Sequence, residues 1–140
     1  MIQFTVYGEP VAQGRPRFTT AGGFVRAYDP KKSRDYKDYV RLVAVEKAPK
    51  EPIDGPVSLT IRVFRPIPKS FSKKKAELAE NGSLRPTTKP DADNFLKSIK
   101  DALKGIIWRD DSQVVDVYVG KWYSSRPRIE IEIQEIGKGA

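Results

Sequence analysis

The stretch Pro90-Asp91-Ala92-Asp93-Asn94-Phe95-Leu96-Lys97-Ser98-Ile99-Lys100-Asp101-Ala102-Leu103-Lys104-Gly105 spells an amphipathic helix. Phe95, Leu96, Ile99 and Leu103 recur at steps of three and four residues, so they share one face, and Gly105 stops the run. Asp91 stands where an N-cap belongs. Asp93 and Lys97 are four residues apart and share the face turned away from the apolar stripe. Such a stripe has to be covered, and the neighbouring segments read as the sheet that covers it.

Downstream, Gln113 to Tyr123 is rich in Val, Tyr and Trp, and from Arg128 to Ile136 the residues Ile129, Ile131 and Ile133 alternate with Glu130, Glu132 and Gln134. These are two strands, expected to pair as a hairpin through Ser124 and Ser125. Upstream, Ser72 to Glu80 reads as a short basic helix closed by Asn81 and Gly82, and Val57, Leu59, Ile61 and Val63 alternate as another strand. Tyr36, Tyr39, Val40 and Val43 predict a helix running to about Lys47, with Asp29 as N-cap and Pro30 at its first position. Residues 8–28 carry Gly8, Pro10, Gly14, Pro16, Gly22 and Gly23 and read as a long loop, preceded by a strand at Ile2, Phe4 and Val6. The order is that of an α+β fold with a mixed β-sheet of about four strands and helices mainly on one face. No repeat or linker divides residues 1–140, so one domain is expected.

Composition limits the chemistry. The 140 residues include neither histidine nor cysteine. This excludes disulfides, thiolate and imidazole catalysis, and zinc or iron–sulfur centres held by Cys or His. Carboxylates, lysines and hydroxyls remain, together with the hard cations that oxygen ligands hold, Mg²⁺, Mn²⁺ or Ca²⁺. The net charge is +8, and it is unevenly spread. Residues 1–50 hold 10 basic and 5 acidic side chains, residues 51–90 hold 8 and 4, and residues 91–140 hold 8 and 9. A basic body joined to a carboxylate-rich segment suits an enzyme acting on a polyanion, with cations for the phosphates and acids for a metal. No apolar run approaches the roughly 18 residues of a membrane span, and no signal peptide is apparent. A soluble, cytoplasmic protein without membrane attachment is expected.

The acids concentrate at Asp91, Asp93, Asp101 and Asp110-Asp111. Each has an ordinary explanation: an N-cap, a surface ion pair with Lys97 worth about 0.3–0.5 kcal/mol, or turn chemistry. Their clustering on two adjacent segments of a basic chain argues for a site. An EF-hand beginning at Asp91 fails, because Leu96 stands where Gly is required and Ala102 where Glu is. A phosphatase-type Asp-x-Asp fails because Thr87-Thr88-Lys89-Pro90, not a buried strand, precedes it.

The run Lys89-Pro90-Asp91-x-Asp93-Asn94-x-x-Lys97, then Asp101-Ala102-Leu103, then Trp108-x-Asp110-Asp111-x-Gln113-Val114-Val115-Asp116, resembles the RusA family of Holliday junction resolvases. Gly14-Arg15-Pro16-Arg17-Phe18 is similar to the basic amino-terminal loop of its phage-type members; the rest of the first 90 residues is only loosely alike. The resemblance implies that Asp91, Asp93 and Asp111 are catalytic carboxylates binding Mg²⁺, with Mn²⁺ as a substitute, and that Lys97 is the essential lysine. Asp110 would support the metal set. The expected activity is symmetric paired nicking of four-way DNA junctions in recombination and repair. A two-fold substrate cut on two strands calls for a C₂ homodimer. Arg15, Arg17, Arg26, Lys31, Lys32, Lys73, Lys74, Lys75 and Lys89 are the basic groups expected along the DNA. Two other readings stay open: a non-catalytic basic DNA-binding module, and a metal-dependent nuclease of different structural specificity.

Overall fold

The computed structural model describes residues 1–14 and 17–137. In chain order the elements are β1 (Ile2–Tyr7), β2 (Arg17–Thr19), β3 (Arg26–Tyr28), α1 (Lys31–Val45), β4 (Val57–Pro66), α2 (Lys73–Glu80), α3 (Ala92–Leu103), β5 (Val114–Ser124) and β6 (Arg128–Glu135). A four-stranded mixed sheet has the order β1-β6-β4-β5, in which β4 and β5 are parallel and the other pairs antiparallel. The α+β class and the mixed sheet agree with the alternation and helical periods of the sequence.

The hairpin expected between β5 and β6 does not form. β6 instead lies between β1 and β4, with Ile129, Ile131 and Ile133 opposite Val6, Phe4 and Ile2 on one side and Val63, Ile61 and Leu59 on the other. The reason is burial. β6 has the most regular apolar alternation and its three isoleucines are fully enclosed, whereas β5 exposes Val115, Val117 and Tyr118 and takes the edge. Within the segment read as a long loop, β2 and β3 pair as a small antiparallel ladder around a 3₁₀ turn. In that turn Gly22 and Gly23 both take positive φ, which glycine adopts without steric penalty.

Two helix boundaries are informative. α1 starts at Lys31 with Pro30 in the cap position, so Asp29 does not cap it and its carboxylate is used elsewhere. α2 begins at Lys73, one residue after the expected start, because Ser72 serves as its cap, the side chain accepting from Lys75 N–H at 3.1 Å. α1 and α3 pack against each other and against the sheet, and their buried residues Val40, Ala44, Phe95, Ile99 and Leu103 join Leu59, Ile61 and the β6 isoleucines in one core. Burying each of these larger side chains contributes about 1.5–3 kcal/mol. Among the described residues, no helix is long and apolar enough to cross a membrane.

Candidate active site

The apolar stripe of α3 fixes which of its residues face outward. With Phe95, Ser98, Ile99, Ala102 and Leu103 buried, Asp93 and Lys97 project to solvent, and Asn94, Lys100 and Asp101 line an open depression of about 610 Å³ with Lys97. Asp93 lies in the first turn, where the helix dipole favours an acid, and Lys100 in the last, where it favours a cation. Asp91 is at the N-cap position, but its side chain caps nothing and makes no hydrogen bond among the described residues. Lys97 Nζ is 3.9 Å from Asp93 Oδ2, and both side chains are well exposed, so the pair is loose.

Asp111 reaches the same depression from the far side. It opens the 3₁₀ turn Asp111–Gln113, and its Oδ1 accepts from the indole N–H of the fully buried Trp108 at 2.9 Å. Gln113 anchors the turn: its amide oxygen accepts from Arg109 N–H and Asp110 N–H, and its amide nitrogen donates to the carbonyls of Ile53 and Gly55. Arg109 pairs with Asp54 beside it. Asp110 is occupied as the cap of this turn. It accepts from Ser112 N–H and Oγ–H and faces Lys104 at 3.6 Å. The Ser112 hydrogen bonds, with a smaller contribution from Lys104, hold the Asp110 carboxyl below the usual carboxylate range.

The remaining wall comes from the amino-terminal loop. Gln13 N–H donates to Asn94 O at 3.0 Å, Gly14 N–H donates to Ser33 Oγ at 3.0 Å, and both residues line the depression. Behind them is an ion cluster centred on a buried lysine that the sequence-based set lacks. Lys37, only 4% exposed, reaches Asp29 at 2.6 Å and Asp101 at 2.7 Å, and Asp29 also accepts from the Gln13 amide. Burial works against the Lys37 charge, but the hydrogen bonds and charges of Asp101 and Asp29 outweigh it and hold the ammonium above its ordinary pKa. A signal for it exists in the sequence, because Lys37 falls in the stripe Ser33, Tyr36, Val40, Ala44 that α1 turns inward.

The structure thus brings Lys97 and Asp111 to one depression; Asp93 stands one turn before Lys97 and 3.9 Å from its ammonium, but neither it nor Asp91 lines the depression, and Asp110 is committed to its turn. The donor chemistry suits a hard divalent cation: every candidate ligand is a carboxylate, and Asp93 has only the loose, exposed Lys97 as ion partner at 3.9 Å. Among the described residues, however, no three Asp or Glu side chains converge closely enough to hold an ion by themselves. Of the basic groups, Arg15 lies outside the described residues, as does the side chain of Arg17. Lys31 lines a second depression that shares Asp101 with the first, and Lys32 is exposed beside it at the start of α1. Arg26 is exposed on β3, Lys89 precedes α3, and Lys73, Lys74 and Lys75 form the first turn of α2, where Lys75 sits over the Phe71 ring.

The family model described as "Endodeoxyribonuclease RusA" matches residues 7–134. A Bacillus subtilis (strain 168) protein called "Uncharacterized protein YqaN" is 58% identical over 137 residues, covering 96% of each chain. A Lactococcus phage r1t protein called "Crossover junction endodeoxyribonuclease rusA" is 27% identical over 138 residues, covering 96% of this chain and 97% of its own. The depression combines two carboxylates, Asp101 and Asp111, with two lysines, Lys97 and Lys100. The chain belongs to the RusA family of endodeoxyribonucleases.

Proposed function

We propose that this chain is a Mg²⁺-dependent endonuclease that resolves four-way DNA junctions by paired symmetric nicks, acting as a homodimer in recombination and repair. The observation that carries the reading is the shared depression of Lys97 and Asp111, with Asp93 one turn before Lys97, in a member of a nuclease family. The name of the phage relative supplies the junction as substrate. The two-fold symmetry of a junction supplies the argument for a dimer.

Asp91, Asp93 and Asp111 are the carboxylates that would hold the metal, and Asp110 supports them by shaping the turn. A divalent cation, when bound, compensates charge on the phosphate and lowers the pKa of a water. The chain's own residues do the rest. Lys97, exposed and loosely paired, swings to the phosphate and stabilises the charge that develops on the scissile group. Lys100 adds positive potential on the same wall, and Asn94 and Gln13 offer uncharged donors to a bound strand. Lys31 and Lys32, and the arginines that follow Gly14 in sequence, extend the basic path for the junction arms.

A four-way junction labelled on each strand tests this directly. With Mg²⁺ the wild-type chain should release symmetrically nicked duplexes, with EDTA none, and Asp93→Asn should bind the junction without cutting it. Binding without cleavage in both Mg²⁺ and Mn²⁺ would leave a passive DNA-binding module. Equal cutting of linear duplex would leave a nuclease of other specificity. Sedimentation of the free protein should give twice the mass of one chain.

A further inference from the structure

Three consecutive carbonyls immediately before Asp91 are each held by a cation from the sheet. Lys121 Nζ, on β5, donates to Thr88 O at 2.9 Å and to Pro90 O at 2.9 Å. Arg65 Nη1, on β4, donates to Lys89 O at 2.9 Å. The two cations stand on neighbouring parallel strands, where the Arg65–Tyr123 register places Lys121 one pleat away. Residues 81–90 otherwise run as irregular chain between α2 and α3, and the N-cap of α3 has no side-chain hydrogen bond of its own. The direction in which the chain enters α3, and so the position of Asp91 and Asp93, is therefore set from outside the helix.

We propose that Lys121 and Arg65 are positioning residues for the nuclease site: a two-cation clamp that fixes the segment 88–90 and thereby aims the Asp91 and Asp93 carboxylates. Charge-assisted hydrogen bonds to carbonyls are stronger than neutral ones, and a lysine bridging two carbonyls of one turn restrains both position and rotation. Arg65 is the less comfortable partner. Its Nε is buried without an acceptor, so its guanidinium adds little to global stability while still holding Lys89. This makes Arg65→Gln a second variant expected to fold if Lys121→Met does not.

The proposal rests on the nuclease reading, and two measurements separate them. Lys121→Met and Arg65→Gln should each lower the rate of junction cleavage at saturating DNA by about 10- to 100-fold, the usual effect of losing an outer-shell support. Junction affinity in EDTA should stay within about twofold, since the clamp's donors face backbone of this chain. Lys121→Arg, which keeps the donors, should retain most of the rate. Independently of any activity, amide hydrogen exchange of residues 94–97, whose N–H groups bond within the first turns of α3, should accelerate by about tenfold in both variants while β4 and β6 stay protected. Unchanged exchange at 94–97, or faster exchange with an unchanged cleavage rate, would overturn the clamp. A wild-type chain that cuts no DNA would overturn the nuclease reading, and the exchange rates would still judge the restraint on the start of α3.

Discussion

Asp111 is held by the indole N–H of Trp108, a residue whose burial a sequence reading explains as core and whose polar edge it does not see. Trp108→Phe removes that donor together with part of a fully buried ring. The variant should lose some stability to the cavity, read as a fall of several degrees in Tm, and lose about tenfold or more in junction cleavage at a temperature where it is fully folded, as outer-shell substitutions do. Lys37 makes a different point. Its pKa is raised on folding, so the stability it contributes is complete below the unfolded lysine's value of about 10.5 and disappears as pH rises through the higher folded value. Lys37→Met should cost about 1.5–3 kcal/mol near neutral pH, read by urea unfolding, and the cost should shrink at strongly alkaline pH. Gly120 is spatially constrained. A Cβ there would meet the Trp122 ring at 2.4 Å, so Gly120→Ala must move an indole that stacks on Phe64 and carries Arg85 over its face. A change in tryptophan fluorescence and a loss of about 1–3 kcal/mol are expected.

At the scale of elements, local periodicity was a good guide and pairing was not. The alternation of β4 and the stripe of α3 gave both elements to within a few residues, because their burial follows from their own spacing. The neighbour of β6 was not readable in the same way. Sequence proximity favours a β5–β6 hairpin, while the enclosed isoleucines demand a central place, and burial won. Ile131→Ala, at the middle of that central strand, should therefore cost about 2–5 kcal/mol by thermal or urea unfolding. The candidate site is legible in the same uneven way. Asp93, Lys97 and Asp111 stand in a compact run, and Lys37 shows as a lysine in the inward stripe of α1, but Gln113, Arg65 and Lys121 bond to backbone carbonyls far away in sequence, and such partners have no spacing to read.

Across the whole molecule, charge divides the labour. The positive excess lies in residues 1–90 and the acids gather in the last third of the chain, yet folding brings Gln13 and Gly14 against Asn94 and Ser33, so basic loop and acidic segment meet at one depression. Junction binding should weaken steeply with salt. Replacing Lys31 and Lys32 by alanine should weaken binding and lower the slope of log affinity against log salt by about one for each phosphate contact removed, measured by titration in EDTA.

The placement of β6 also bears on how the molecule is made. Residues 128–135 supply the strand that joins β1 to β4, so a chain emerging from the ribosome carries β1 with no ladder to enter until nearly all of it has been translated. β4 and β5 can pair before that, but β1 and the loop that leads from it to Gln13 wait for β6. A prematurely terminated message would thus yield a fragment bearing every candidate carboxylate and no assembled wall around them. In a member of an endodeoxyribonuclease family, the last strand to be made is thus the one on which assembly of the sheet depends.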